Sequence, residues 1–392
     1  MLSHLETSHL LNTKPDRIAA DIRARVAQGV LRRGQQLPSY DELLETYGVS
    51  RGTLHQALTA LKKDGLIRSR GRGGLFVSDQ PPHLKHFALA LPRPENVPPD
   101  EWPPSRFYEA LRRSSYLLEQ AGRARFTVYH GVNGRANTPG YRRLVDDLQH
   151  RRLAGVVYAM PQFEIDRTLL EQFTDTPRLF LMSASKRPDD LMLWADPIDA
   201  LPLCLQTLAS RGRRRVAFIV QGRVLSSAMQ SMNTTLDELL DEHDLTTEPY
   251  WIQRTHTGFA DAARDIAHLL CAVNPKKRPD ALIITDDNLV EPAVRGLHDA
   301  GMRIPNDISV FAHANFPAPP EPDAEVTFVG FDLHKMLGTC LDRLESAMGR
   351  KARSRRPKRA TSDDQMFRAE RMTPQVRENF SFPTESFPLA LN

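Results

Sequence analysis

Apolar positions recur at helical spacing in the first 80 residues and gather into short unbroken runs after residue 86. Ile18, Ile22, Val26 and Val30 stand four apart, so a helix over 14–30 carries one apolar stripe. Pro15 suits its first turn, where a missing N–H breaks no bond. LPSYDELLETYG (37–48) predicts a short second helix. Ser39 and Glu42 have capping-box spacing, Leu43, Leu44 and Tyr47 form the buried face, and Gly48 ends it. Ser50 caps a third helix, with Leu54, Leu58 and Leu61 on one side and Gly65 at its stop. LIRSRGRGGLFVSD (66–79) then reads as two short strands around a Gly/Arg tip.

SDQPPHLK (78–85) is polar and carries paired prolines, so a linker is set at 80–86 between a first domain, 14–79, and a second, 87–392. The strand candidates beyond it are 86–91, 126–130, 154–160, 178–182, 191–195, 215–220, 250–254, 281–285 and 308–312. Helices fit between them at 105–121, 139–150, 198–210, 257–273 and 288–300. Strand–helix alternation with near-continuous apolar strands predicts an α/β fold of parallel sheets flanked by helices, long enough for two lobes. No period of 20 to 50 residues repeats, which excludes a solenoid.

The front segment carries the chemistry. Two short helices joined by a tight turn form a helix-turn-helix, and the start of the second enters the major groove in such motifs. Arg51 has the fork geometry for guanine or for a phosphate. The hydroxyls of Ser39, Ser50 and Thr53, at or near helix starts, suit phosphate oxygens. His55 and Gln56 follow one turn on, and an amide such as Gln56 matches adenine. In the hairpin tip, Arg68, Arg70 and Arg72 alternate with small residues and can reach a minor groove, while Gly73 permits close backbone approach. A capping box or an Arg/Gly turn alone is ordinary; their ordered conjunction within 65 residues is specific.

Charge agrees with that division. Residues 1–79 hold 12 Lys/Arg against 8 Asp/Glu, whereas 80–349 hold 30 against 35, so the front end is the part fitted to a polyanion. The basic run RKARSRRPKR (350–359) is expected as an exposed loop, with extra DNA contact as the alternative. A chain of 392 residues calls for two or three domains. It has no apolar run near the ~20 residues of a membrane helix, and the first residues lack a signal-peptide pattern, so the cytoplasm is expected and no membrane partner. Cys204, Cys271 and Cys340 are far apart and are read as packed thiols rather than metal or redox groups. No H-E-x-x-H, P-loop or G-x-S-x-G occurs, so neither an enzyme nor a cofactor is expected. An aminotransferase-like enzyme fused to the front module is the weakest alternative, since no cofactor lysine stands out.

GQQLPS (34–39), GVSRGT (48–53), ALTALKKDGL (57–66) and GRGGLFV (71–77) together resemble the GntR-type winged helix-turn-helix. The resemblance implies a homodimer on a double-stranded DNA operator with an inverted repeat, and it places Arg51, Thr53 and Gly73 at DNA-contacting positions. Two residues depart from the pattern: Asp41 stands where the family usually has a cation, and His55 where arginine is common. TLASRGRRRVAFI (207–219), ITDDNLVEPAVRGLHDAGMRIPNDISVFA (284–312) and VTFVGFDLHKMLGTCLDRL (326–344) resemble the LacI/GalR-type sensor, a two-lobed periplasmic-binding-protein-like fold. MTPQVRENFSF (372–382) is similar to that family's final strand. A winged helix ahead of such a sensor resembles arabinose-repressor-like proteins, and implies a repressor controlled by a small molecule, with a carbohydrate as the candidate class, bound between the lobes.

In an open α/β sheet, ligands sit beyond the carboxyl ends of strands, which brings Asp287 and Asn288 forward as effector contacts, with Arg93, Met160 and His313 at other strand ends. Asp287 matches the family's ligand-binding aspartate; the alternative is that Asp286 or Asp287 simply caps a helix. Where the family usually has an effector-gripping arginine, the matching residue is Ser231, which counts against an ordinary sugar. A sensor that has lost its ligand and serves dimerisation is therefore the competing reading.

Overall fold

The computed structural model describes residues 13–27, 30–69, 74–78, 85–95, 105–135, 138–160, 165–181, 191–195, 197–221, 236–351 and 370–377. The hairpin tip with Arg70, Arg72 and Gly73, most of the linker, Ser231 and nearly all of the basic run lie outside the described residues. The chain forms two compact units. The first comprises Met1–Pro98, Leu111–Ala195 and Leu333–Met372, and the second Pro99–Ala110, Asp196–Asp332 and Thr373–Asn392.

The first unit begins with three helices and a hairpin: α1 (Lys14–Ala27), α2 (Tyr40–Tyr47), α3 (Arg51–Lys63), β1 (Ile67–Ser69) and β2 (Leu75–Val77). β1 and β2 pair antiparallel, Ile67 opposite Val77. Ile18, Ile22, Val26, Leu43, Leu54, Leu58 and Leu61 close one apolar core, as their spacing requires. Val30 does not join them and is 57% exposed. Val30 lies in a bend beyond α1, the Leu31 amide reaches the Arg25 carbonyl at 3.0 Å, and Leu31 takes the core position instead. An ion pair between the buried Arg23 and the solvent-edge Asp64 ties α1 to the end of α3.

The same unit holds a six-stranded sheet. Its strands are β3 (His86–Leu91), β4 (Arg125–His130), β5 (Gly155–Tyr158), β6 (Arg178–Leu181), β7 (Leu191–Trp194) and β13 (Glu370–Arg371), in the order β4-β3-β5-β6-β7-β13 with every pairing parallel. Its helices are α4 (Arg106–Gln120), which belongs to this unit from Leu111 on, α5 (Pro139–Gln149) and the long α9 (Leu333–Lys351). There Arg123 grips Glu345 at 2.8 Å and Asp342 at 2.6 Å.

The second unit repeats the plan. Its sheet runs β9-β8-β10-β11-β12-β14, from β8 (Val216–Gln221), β9 (Ile252–Thr255), β10 (Ala281–Ile284), β11 (Ser309–Phe316), β12 (Thr327–Asp332) and β14 (Gln375–Arg377). Only β14 is antiparallel, beside β12, so the C-terminal segment closes this sheet. α6 (Leu201–Ser210), α7 (Ala260–Cys271) and α8 (Val290–Asp299) flank the strands. β9 starts two residues later than its sequence suggests, because Pro249–Trp251 forms a 3-10 turn that buries Trp251. All eight residues of β11 are buried. Gly330 makes the neighbouring approach possible: a Cβ there would lie 1.9 Å from the Ala314 carbonyl oxygen. Cys204, Cys271 and Cys340 are buried free thiols, and burial pushes Cys204 up to about 12 and Cys271 up to about 11. Among the described residues no helix is long and apolar enough to cross a membrane.

Candidate DNA-binding face and candidate effector site

The start of α3 is built by its caps. Ser50 Oγ accepts from the Thr53 amide at 3.4 Å and lies 2.9 Å from the Thr53 hydroxyl. One helix earlier, Ser39 and Glu42 complete the capping box: the Ser39 amide donates to Glu42 Oε2 at 2.7 Å, and the Glu42 amide to Ser39 Oγ at 3.3 Å. Those bonds hold the Glu42 carboxyl below its usual range. The hydroxyls read as phosphate contacts thus also fix helix starts, which aims the first N–H groups of α2 and α3 outward. Gly48 takes the left-handed conformation, φ 58°, which a tight turn between the helices needs.

With Leu54, Ala57, Leu58 and Leu61 buried, the 3.6-residue period turns Arg51, His55, Gln56 and Thr59 to solvent, and Thr53 is half-buried. Tyr40 Oη donates to the Arg51 carbonyl at 2.8 Å and locks the two helix starts together. Between α3 and the hairpin lies a groove of about 270 Å³ that includes Ser39, Tyr40, His55, Thr59, Lys62 and Gly74 in its lining. Ser39 and His55 are brought together there; Tyr40 and Thr59 were not singled out by the sequence, although Thr59 lies one turn beyond His55 on the same face. This is an exposed helix of polar and cationic side chains on an apolar scaffold, with the shape and charge that a major groove accepts.

In the second unit, Asp287 and Asn288 come together, and His313 lies on β11 two residues before Asn315, which bonds to Asp287. Asp286 caps the turn after β10: its Oδ1 accepts from the Asn288 amide at 2.9 Å and from Asn288 Nδ2 at 2.8 Å. Asp287 is 2% exposed. Its Oδ2 accepts from the Asn315 amide at 3.1 Å and from Asn315 Nδ2 at 2.8 Å, and its Oδ1 from Asn288 Nδ2 at 3.2 Å. Burial, then the neighbouring Asp286 charge, raises the Asp287 carboxyl well above its usual range, and burial raises Asp286 too. His313 is buried with Nδ1 unpartnered, and burial pushes its pKa down to about 4. Asn315 and Arg106 complete the cluster and were missed by the sequence. Arg106, which the second unit includes, pairs with Glu291 at 2.6 Å and donates its amide to Asn288 Oδ1 at 3.1 Å. Arg93 and the buried Met160 belong to the first unit, each just beyond a strand end. Among the described residues no group of three or more His, Cys, Asp or Glu side chains has the arrangement to hold a metal.

Residues 14–77 match the model of bacterial regulatory proteins of the gntR family, and residues 205–363 match the periplasmic binding protein-like domain. The chain joins a gntR-type helix-turn-helix module to a periplasmic-binding-protein-like domain. That front module is 48% identical over 56 residues to the Escherichia coli (strain K12) protein named "Probable fructoselysine utilization operon transcriptional repressor", covering 14% of this chain and 23% of that one. The later part is 26% identical over 134 residues to the ribose operon repressor of Haemophilus influenzae, 32% of this chain and 39% of that one. The chain thus spans well under two thirds of either relative. A LacI family transcriptional regulator from Lactobacillus casei, solved with bound sucrose, shares the fold with a TM-score of 0.51 at 19% identity, over 75% of this chain and 98% of that one.

Proposed function

We propose that the protein is a DNA-binding transcription regulator, a repressor whose hold on its operator is set by a small molecule. The observation that carries this reading is the capped, solvent-facing start of α3, with Arg51, His55 and Gln56 outward over a buried Leu54–Leu58–Leu61 seam. A homodimer reading an inverted repeat fits a single recognition helix per chain, since two half-sites double the contacts. Such a protein works in the cytoplasm and needs no catalytic group. The relatives named for ribose and fructoselysine operons, and the neighbour solved with sucrose, make a carbohydrate the first effector class to test.

Selection from a random duplex library tests the first half. The full chain should enrich one motif with two-fold symmetry; recovery of unselected sequence would reject the reading. Thermal shift against a carbohydrate panel tests the second half, because a specific ligand raises the melting temperature by mass action. A sensor that binds nothing and serves dimerisation is the second reading. The inward-bonded Asp287 favours it, and a flat thermal response across the panel would support it.

A further inference from the structure

The first turn of α2 brings an acid to the face that the proposed function gives to DNA. Tyr40 ties the start of α2 to the start of α3. One residue on, Asp41 Oδ1 stands 3.6 Å from Arg51 Nη2, and the two side chains are 83% and 80% exposed. Water screens such a pair, so it contributes little to folding. Its position gives it another consequence. A carboxylate at this place repels every phosphate alike, whatever the base sequence.

We propose that Asp41 is a specificity-determining residue that keeps Arg51 from indiscriminate phosphate contact and yields it to a paired acceptor on a base edge. The chemistry separates the two targets. A phosphate attracts the guanidinium and repels the carboxylate beside it, so the contact is discounted. The guanine edge carries no net charge and offers N7 and O6 in the spacing of the guanidinium fork, so it gains two bonds with less repulsion. Weaker binding to bulk DNA and sharper discrimination follow together.

This inference rests on α3 meeting DNA, and the experiment keeps the two apart. The full chain is used to select duplexes, and fluorescence anisotropy then compares a selected duplex with a scrambled one for wild type, Asp41→Asn and Asp41→Arg. Asp41→Asn should bind the scrambled duplex about 3- to 10-fold more tightly and the selected duplex by a smaller factor, so their ratio falls. Asp41→Arg should steepen the plot of log affinity against log salt by about one unit per protomer. In an Arg51→Ala background the Asp41→Asn gain should shrink, since the two residues act as a pair. Equal tightening on both duplexes, or no change on either, overturns the proposal while leaving the DNA-binding reading intact. Failure of the wild type to enrich any duplex overturns that reading and this inference with it.

Discussion

Polar side chains face opposite ways in the two candidate sites. On α3, Arg51, His55 and Gln56 project into solvent, and Arg51 meets Asp41 in a screened 3.6 Å contact. At the ends of β10 and β11, Asp287, Asn288 and Asn315 satisfy one another inside the second unit. An exposed group gives up water, or a weak partner, to meet a ligand. A buried group must first break bonds that hold the backbone, so its natural role is to position. The helix-turn-helix contains both kinds, since Arg23 is 3% exposed against Asp64 while Arg51 stands free of the core.

The largest effect should come from the Arg23–Asp64 pair of that module. Asp64→Ala leaves the Arg23 guanidinium with no carboxylate in a site where burial already lowers its pKa, and because Asp64 itself is 36% exposed the loss should be about 3 kcal/mol, the low end for breaking a buried pair. Urea unfolding read by far-UV circular dichroism measures it. A loss under 1 kcal/mol would show that water reaches Arg23, and the inward/outward distinction would fail in the helix-turn-helix.

His313 gives a pH-dependent version of the same test. Buried and neutral, it takes up a proton only near pH 4 in the folded protein, against about 6.5 when unfolded. Between those values the unfolded chain binds more protons, so this residue makes stability rise with pH through the window, by up to about 3 kcal/mol. The raised carboxyls of Asp286 and Asp287 work in the opposite sense, because there the folded state binds more protons and stability falls as pH rises. His313→Leu should remove the rising component and leave the falling one. Identical pH profiles of the melting temperature for wild type and variant would mean the ring is solvated.

Asp287 comes next. Asp287→Ala orphans the Asn315 amide and side chain and should destabilise the second unit by about 2–3 kcal/mol, followed through fluorescence of the buried Trp251. Unchanged stability with loss of a carbohydrate-induced thermal shift would instead make Asp287 an effector contact.

How much of this could be read from the chain depends on sequence distance. The caps at Ser39, Ser50 and Gly48 are local, and all three hold. The outward face of α3 was legible because one helical period fixes it once Leu54 and Leu58 are assigned inward. Asp287 with Asn315, 28 residues apart, and Arg23 with Asp64, 41 apart, depend on how distant segments meet, which no periodicity encodes. Val30 misled for a local reason: its spacing continued the stripe, but it lies in a bend outside α1.

The smallest effect on stability should accompany a large one on binding. Arg51→Ala removes a side chain 80% exposed and outside the core, so melting should change by less than about 0.5 kcal/mol. Specific DNA affinity should fall by about 1–3 kcal/mol, the worth of one bidentate base contact. The loss should concentrate at one base position per half-site, because a phosphate contact would weaken all sequences alike. A uniform loss over every duplex would reassign Arg51 to the backbone, and the outward face would then supply attraction while another residue reads the bases.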